Sequence, residues 1–151
     1  MTYDDLLLEA DSDNLITKEK PLKAHAGRID GKRIAIKKDI STIQKKCVLA
    51  EELGHWHTTY GDIMNQSLID NRKQERRARI WAYNKLVGIS GIVNATAHGC
   101  YSIQDMSDYL NVTEEFLLEA IEYYKQKYGA YHIVDNYMIF FEPLGVLELY
   151  G

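Results

Sequence analysis

The chain has 151 residues, of which 46% are hydrophobic and 26% charged, and it carries a formal net charge of −4. That length suits one domain, at most with two lobes. The apolar share excludes a disordered chain, and the acidic balance argues against electrostatic capture of nucleic acid or of an anionic membrane. The two cysteines, Cys47 and Cys100, lie far apart and outside any Cys-x-x-Cys spacing, which excludes a disulfide framework and fits a reducing compartment. No apolar run reaches the roughly 20 residues of a membrane span. The start, Met1-Thr2-Tyr3-Asp4-Asp5, lacks a basic region followed by a secretory core. A cytoplasmic protein is expected, with no membrane partner.

In chain order, Asp4 to Ala10 reads as a short helix, and Asp11 to Asn14 as a turn. Leu15 to Leu22 is mixed, and Pro21 discourages a long regular element. Ala24 to Lys37 carries the clearest strand signal, with Asp30-Gly31 as the expected two-residue hairpin turn and Ile34 and Ile36 on the buried face. Ser41 or Thr42 can cap a helix running to about Thr58, closed by Thr59-Tyr60-Gly61-Asp62. A second long helix is expected from about Ile69 to Gly88. Ser90-Gly91 is expected to break the chain before a short helix over Ile92 to His98, closed by Gly99. Ile103 to Leu110 has helical spacing, Asn111-Val112 turns, and Thr113 caps a helix from Glu114 to Tyr128. Ile133 to Phe141 reads as a terminal hairpin around Asp135-Asn136, followed by Pro143-Leu144-Gly145 and an apolar tail.

The first long helix carries the chemistry. Glu51, Glu52 and His55 share a sector of roughly 100°, while Leu49, Leu53 and Trp56 lie opposite, with Ala50 beside them. A helix this apolar is usually buried, and a buried carboxylate is costly unless it is paired or bound to a metal. The run also reads as H-E-x-x-H with Glu51 where the first His would stand, a motif that sets two ligands one turn apart with a general base between them. A catalytic metal usually takes three protein ligands and keeps one position open, so a third must come from elsewhere. On the second helix, with Glu75 as zero, Ala78 falls near about 300°, Ala82 near about 340° and Leu86 near about 20°. Glu75 is therefore expected within the apolar face, beside small residues that permit a close helix approach, as Gly54 does on the first helix. Arg79, one turn on, is an alternative partner for Glu75.

The proposed ligands are Glu51, His55 and Glu75, with Glu52 as general base activating a metal-bound water. Two carboxylates neutralise a divalent charge, which weakens the Lewis acid and hardens the site. Zinc is the first expectation, and manganese and iron remain open.

The run Cys47-Val48-Leu49-Ala50-Glu51-Glu52-Leu53-Gly54-His55 is followed by Thr58-Thr59-Tyr60-Gly61-Asp62-Ile63, and Asn71 to Ala82 follows these. Together they resemble the ImmA/IrrE family of metallopeptidases, in the forms carried by prophages and integrative elements of Gram-positive bacteria. The resemblance extends over nearly the whole chain, including Tyr3 to Ala10 and Val134 to Tyr137. It implies a small zincin-like fold, metal ligands at His55 and Glu75, the catalytic glutamate at Glu52, and cleavage of the helix-turn-helix repressor of the same element. The sequence departs from the family pattern at Glu51, where the pattern has His.

The fold expected is α+β: a minimal zincin-like fold with an N-terminal hairpin or small sheet on the metal-site helices, and a helix-turn-helix-like C-terminal lobe with a hairpin. Residues 1–90 are expected to form the metallopeptidase core, and 91–151 a lobe packed on it. A strand beside the site, Ala24 to Ile29 or Arg33 to Lys37, is a candidate for binding substrate by strand addition. It reads equally well as a structural hairpin. His57 points to the leucine side and is expected to be packed or hydrogen-bonded there, His98 to cap a helix end, and Cys47 to fill core. Tyr60 is one of several tyrosines able to donate to an oxyanion. Residues 102–123 have helix-turn-helix spacing, but Glu114, Glu115, Glu119 and Glu122 would repel phosphate, so a packing or partner-recognition unit is expected rather than a DNA reader. The expected function is a metal-dependent endopeptidase acting on a repressor. The alternative is a non-catalytic regulator that keeps the fold and binds the repressor or another partner. The oligomeric state stays open.

Overall fold

The computed structural model describes residues 1–60, with the backbone alone at Tyr60, and residues 71–150. These fall into two compact units, residues 1–86 and 87–151. The expected helix end at Gly61-Asp62, the start at Ile69 and the Tyr60 side chain lie outside the described residues.

In the first unit, α1 (Tyr3–Ser12) opens with reciprocal caps: Asp5 N–H donates to Thr2 Oγ1, and Thr2 N–H donates to the Asp5 carboxylate at 2.8 Å. Three strands follow, β1 (Ile16–Lys20), β2 (Gly27–Asp30) and β3 (Arg33–Lys37). They form a sheet of order β1-β3-β2, with β1 parallel and β2 antiparallel to β3. Ile34 and Ile36 are buried under α2 (Thr42–His55), so alternation in β3 sets the inner face. Tyr3 Oη and Lys45 Nζ both donate to the Glu19 carboxylate, which joins α1, β1 and α2. Burial and the Glu19 charge push the Tyr3 hydroxyl up to about 12. From α2 the chain passes through a π-helical turn (Trp56–Tyr60). After the undescribed residues comes α3 (Asn71–Leu86), tied to α1 by Lys85 Nζ donating to Glu9 at 2.9 Å.

The second unit holds α4 (Gly88–Ala97), α5 (Ile103–Leu110) and α6 (Glu114–Tyr128). An antiparallel sheet β4-β5-β6 follows, with strands Tyr131–Val134, Tyr137–Phe141 and Leu144–Glu148. Ile92, Met106, Phe116, Leu117, Ile121, Ile139 and Phe141 fill its core. Asn111 turns α5 into α6 in the left-handed conformation (φ 56°), and Thr113 caps α6 as its spacing predicts. The Gly88 N–H donates to Tyr124 Oη at 3.1 Å, and burial raises that hydroxyl well above its ordinary range.

The architecture is α+β, as expected, with four differences of detail. Residues 16–20 form a strand although their sequence is mostly charged, because β1 is an edge strand whose side chains stay largely in solvent. The hairpin turn is centred on Gly31-Lys32, one residue beyond the Asp-Gly expectation, with Gly31 at φ 60° in the first loop position. Ser90-Gly91 does not break the chain but lies inside α4, where an added Cβ on Gly91 would stand 3.2 Å from Leu110 Cδ2. The break falls instead at Val87-Gly88, with Gly88 at φ 67°. The apolar tail after Pro143 is a third strand, β6, paired with β5. Among the described residues no helix is long and apolar enough to cross a membrane.

Candidate metal centre and its general base

The site begins with a well-anchored helix. At the N-terminus of α2, Gln44 N–H donates to Ser41 Oγ at 3.1 Å, and Ser41 N–H donates to Gln44 Oε1 at 2.9 Å. Leu49, Ala50 and Leu53 are fully buried, and Cys47 lies with them as a core residue. Immediately after His55 the helix widens into its π turn, where Thr58 Oγ1 donates back to the Gly54 carbonyl at 2.7 Å.

The small residues on both helices set their approach. Ala78 and Ala82 are fully buried on α3, and a Cβ placed on Gly54 would stand 2.3 Å from the Ala78 carbonyl oxygen. This contact brings the end of α2 against the middle of α3. His55 Nε2 lies 3.2 Å from Glu75 Oε1. Glu75 sits at the edge of the buried face rather than inside it: its side chain is 55% exposed, against 16% for His55. The reason is position along the axis. Glu75 lies about one turn before Ala78, the point of closest approach to Gly54. Its ion-pair partner is His55.

Glu52 is the buried carboxylate of the group, only 8% exposed. Burial, followed by the Glu51 and Glu75 charges, pushes its carboxyl up to about 7. It packs under β2: an added Cβ on Gly27 would meet Glu52 Oε1 at 3.0 Å and Val48 Cγ1 at 2.5 Å. A carboxyl that titrates near neutrality is suited to accepting a proton and giving it back. Glu51 is half-buried and close enough to Glu52 to contribute to that shift.

Two donors, each about 2.0–2.1 Å from a tetrahedral ion, stand roughly 3.3 Å apart. The 3.2 Å between His55 Nε2 and Glu75 Oε1 therefore fits two adjacent ligand positions, as well as a direct hydrogen bond that a cation would replace. Among the described residues no three of His, Cys, Asp and Glu gather closely enough to hold an ion. The structure thus brings His55 and Glu75 together and sets Glu51 and Glu75 within electrostatic reach of Glu52.

Two other histidines, both exposed, have partners of their own. His57 stacks on Trp81 with ring centroids 4.8 Å apart, and its Nε2 lies 3.5 Å from Asp13, so the π turn is pinned to both α3 and α1. His98 Nδ1 pairs with the Asn94 carbonyl at 2.9 Å at the end of α4. The sheet order separates the two candidate strands. β3 is central and uses both edges, so Arg33 to Lys37 cannot accept an added strand, whereas β2 is an edge strand. Sequence reasoning missed Gly27 and Trp81 as supports of the site. Gly27 gives no local signal, because the contact it relieves lies on another element. Trp81, at an otherwise polar part of α3, was a signal to look for a stacking partner.

The site is thus a buried carboxylate beside a His–Glu pair on two closely packed helices, under a small sheet. The family comparison agrees: a model described as the IrrE N-terminal-like domain, Peptidase_M78, matches residues 8–122. The chain belongs to this metallopeptidase-like family, which implies a metal cofactor, typically zinc, and a protein substrate. No curated protein matches the chain.

Proposed function

We propose that the chain is a metal-dependent endopeptidase in which Glu51, His55 and Glu75 hold one divalent ion, zinc in the first instance, and Glu52 is the general base. Its substrate in this reading is the helix-turn-helix repressor of a prophage or mobile element, a substrate class that comes from the family resemblance. When bound, the ion supplies Lewis-acid polarisation of the scissile carbonyl and acidifies the attacking water. Glu52 accepts the proton of that water and delivers it to the departing amine. The outer edge of β2, which among the described residues pairs with β3 alone and begins at Gly27 against Glu52, receives the substrate as an added strand. The observation that carries the reading is the 3.2 Å His55–Glu75 separation beside the buried, proton-holding Glu52.

The test is metal analysis of protein purified without added metal, joined to cleavage of the cognate repressor by wild type and by Glu52→Gln. Metal bound by both, with cleavage by wild type alone, is the expected result. Cleavage that survives Glu52→Gln would remove the general-base role, and failure of both proteins to bind zinc would remove the site. Glu51, standing where the motif has His, favours one second reading, a regulator that binds a repressor or other partner without cutting it. That reading predicts repressor binding without cleavage by metal-loaded wild type.

A further inference from the structure

The net charge of −4 hides a sharp division between the units. Residues 1–86 hold sixteen of the eighteen Lys and Arg but thirteen of the twenty-two Asp and Glu, a balance of +3; residues 87–151 hold two and nine, a balance of −7. Part of the positive charge gathers next to Glu75. A cavity of about 410 Å³ on α3 is lined by Glu75, Arg72, Arg76, Arg79, Ile80 and Tyr83 among others. On the helical wheel these six span one sector of about 140° that starts at Glu75, next to the sector holding Ala78 and Ala82. Glu75 thus stands on the boundary, one side turned to His55 and the other opening onto three guanidinium groups over an apolar floor.

We infer that this groove receives the substrate chain beside its scissile bond, and that it selects segments carrying Asp or Glu side chains, seated on Arg72, Arg76 and Arg79. The inference rests on the peptidase reading of the site, and names the substrate class that site takes. Guanidinium groups bind carboxylates through paired N–H donors in a fixed fork, which gives direction as well as charge. Ile80 and Tyr83 supply the apolar contact that a peptide's other side chains need. A peptide fits this surroundings better than a nucleic acid strand. Glu75 lines the groove and its carboxylate repels a continuous run of phosphates, whereas a peptide presents its carboxylates singly and can place neutral backbone there.

The experiment uses full-length Glu52→Gln protein loaded with zinc, and two fluorescein-labelled peptides identical except that Glu residues in one are Gln in the other. Binding is read by fluorescence anisotropy at low and high salt. The acidic peptide should bind on the order of fivefold to tenfold more tightly. That advantage should shrink at high salt and vanish in Arg76→Glu and in Arg79→Glu, both exposed positions at which circular dichroism should report an unchanged fold. Equal affinities, or binding of neither peptide, would overturn the inference. So would a single-stranded oligonucleotide of matched charge that binds more tightly than the acidic peptide. Wild-type cleavage separates the two levels. Equal cleavage of both peptides overturns the acidic preference and leaves the peptidase standing. Selective binding of the acidic peptide with no cleavage by zinc-loaded wild type leaves the preference standing and removes the peptidase.

Discussion

Gly54 of α2 lies so close to Ala78 of α3 that a Cβ on the glycine would fall 2.3 Å from the Ala78 carbonyl oxygen and 2.9 Å from its Cα. The obstructing atoms are backbone, so no rotamer change relieves the clash, and the helices must separate. Gly54→Ala gains about 1 kcal/mol in helix propensity. The overpacking cost outweighs this, so a net loss of about 2 kcal/mol or more is expected in urea unfolding. Because the same contact aligns His55 with Glu75, zinc affinity should fall as well. Unchanged stability and unchanged zinc affinity would mean that the helices do not cross at this point.

Glu52 makes the metal-free protein sensitive to pH, with a definite sign. Its carboxyl titrates at about 7 when folded, against an ordinary 4.5. Below 4.5 it is protonated in both states. Between the two values the folded protein keeps a proton that the unfolded chain has released, so folding stability falls as pH rises through this window and levels off above it. The loss is on the order of 3 kcal/mol. Urea unfolding in the presence of chelator should show it between pH 5 and 8, and Glu52→Gln should flatten that portion of the profile while raising stability at pH 8. A profile equally steep in Glu52→Gln would assign the effect to another group.

Much of this arrangement was legible because it is local or periodic. The Ser41–Gln44 and Thr113–Phe116 caps, the buried Leu49–Leu53 face and the small residues at 54, 78 and 82 all follow from spacing within one helix. The approach of Glu75 to His55 was readable because both lie on helices whose faces could be phased. Strands β1 and β6 were not readable: the polar, mostly charged Thr17-Lys18-Glu19-Lys20 and the short Leu144–Glu148 become strands only through partners elsewhere in the chain. The contact of Gly27 with Glu52 was hidden for the same reason, since it joins a strand to a helix. Glu75 was misjudged in burial because a helical wheel gives angle but not position along the axis.

Ion binding should appear as stability. A ligand that binds only the folded state at about 100 times its dissociation constant stabilises by about 2.7 kcal/mol. Zinc should therefore raise the melting temperature of the wild type, and chelator should reverse the gain. His55→Ala and Glu75→Ala should each abolish most of the zinc response, and Glu51→Ala should reduce it if that carboxylate is the third ligand. A Glu51→Ala protein with the full zinc response would move the third ligand to another residue. Glu51→His tests the position from the other side: two histidines should hold zinc more tightly relative to manganese, because imidazole is the softer donor.

Gly27 limits how closely β2 can lie over Glu52. A Cβ there would stand 2.5 Å from Val48 Cγ1 and 3.0 Å from Glu52 Oε1. Both obstacles are side chains on α2, so unlike the Gly54 contact this clash can be relieved by mutation. Gly27→Ala should destabilise by about 1–3 kcal/mol despite the lower backbone entropy of alanine in the unfolded chain. In a Val48→Ala background the nearest obstacle is gone and the cost should shrink, leaving an interaction energy of about 1 kcal/mol in the double-mutant cycle. The cycle also reports on catalysis in the proposed mechanism. If β2 holds the substrate beside Glu52, Gly27→Ala should lower kcat/KM, and Val48→Ala should restore part of it together with the stability. Additive stability effects would show that β2 lies farther from α2 than the Gly27–Val48 distance implies.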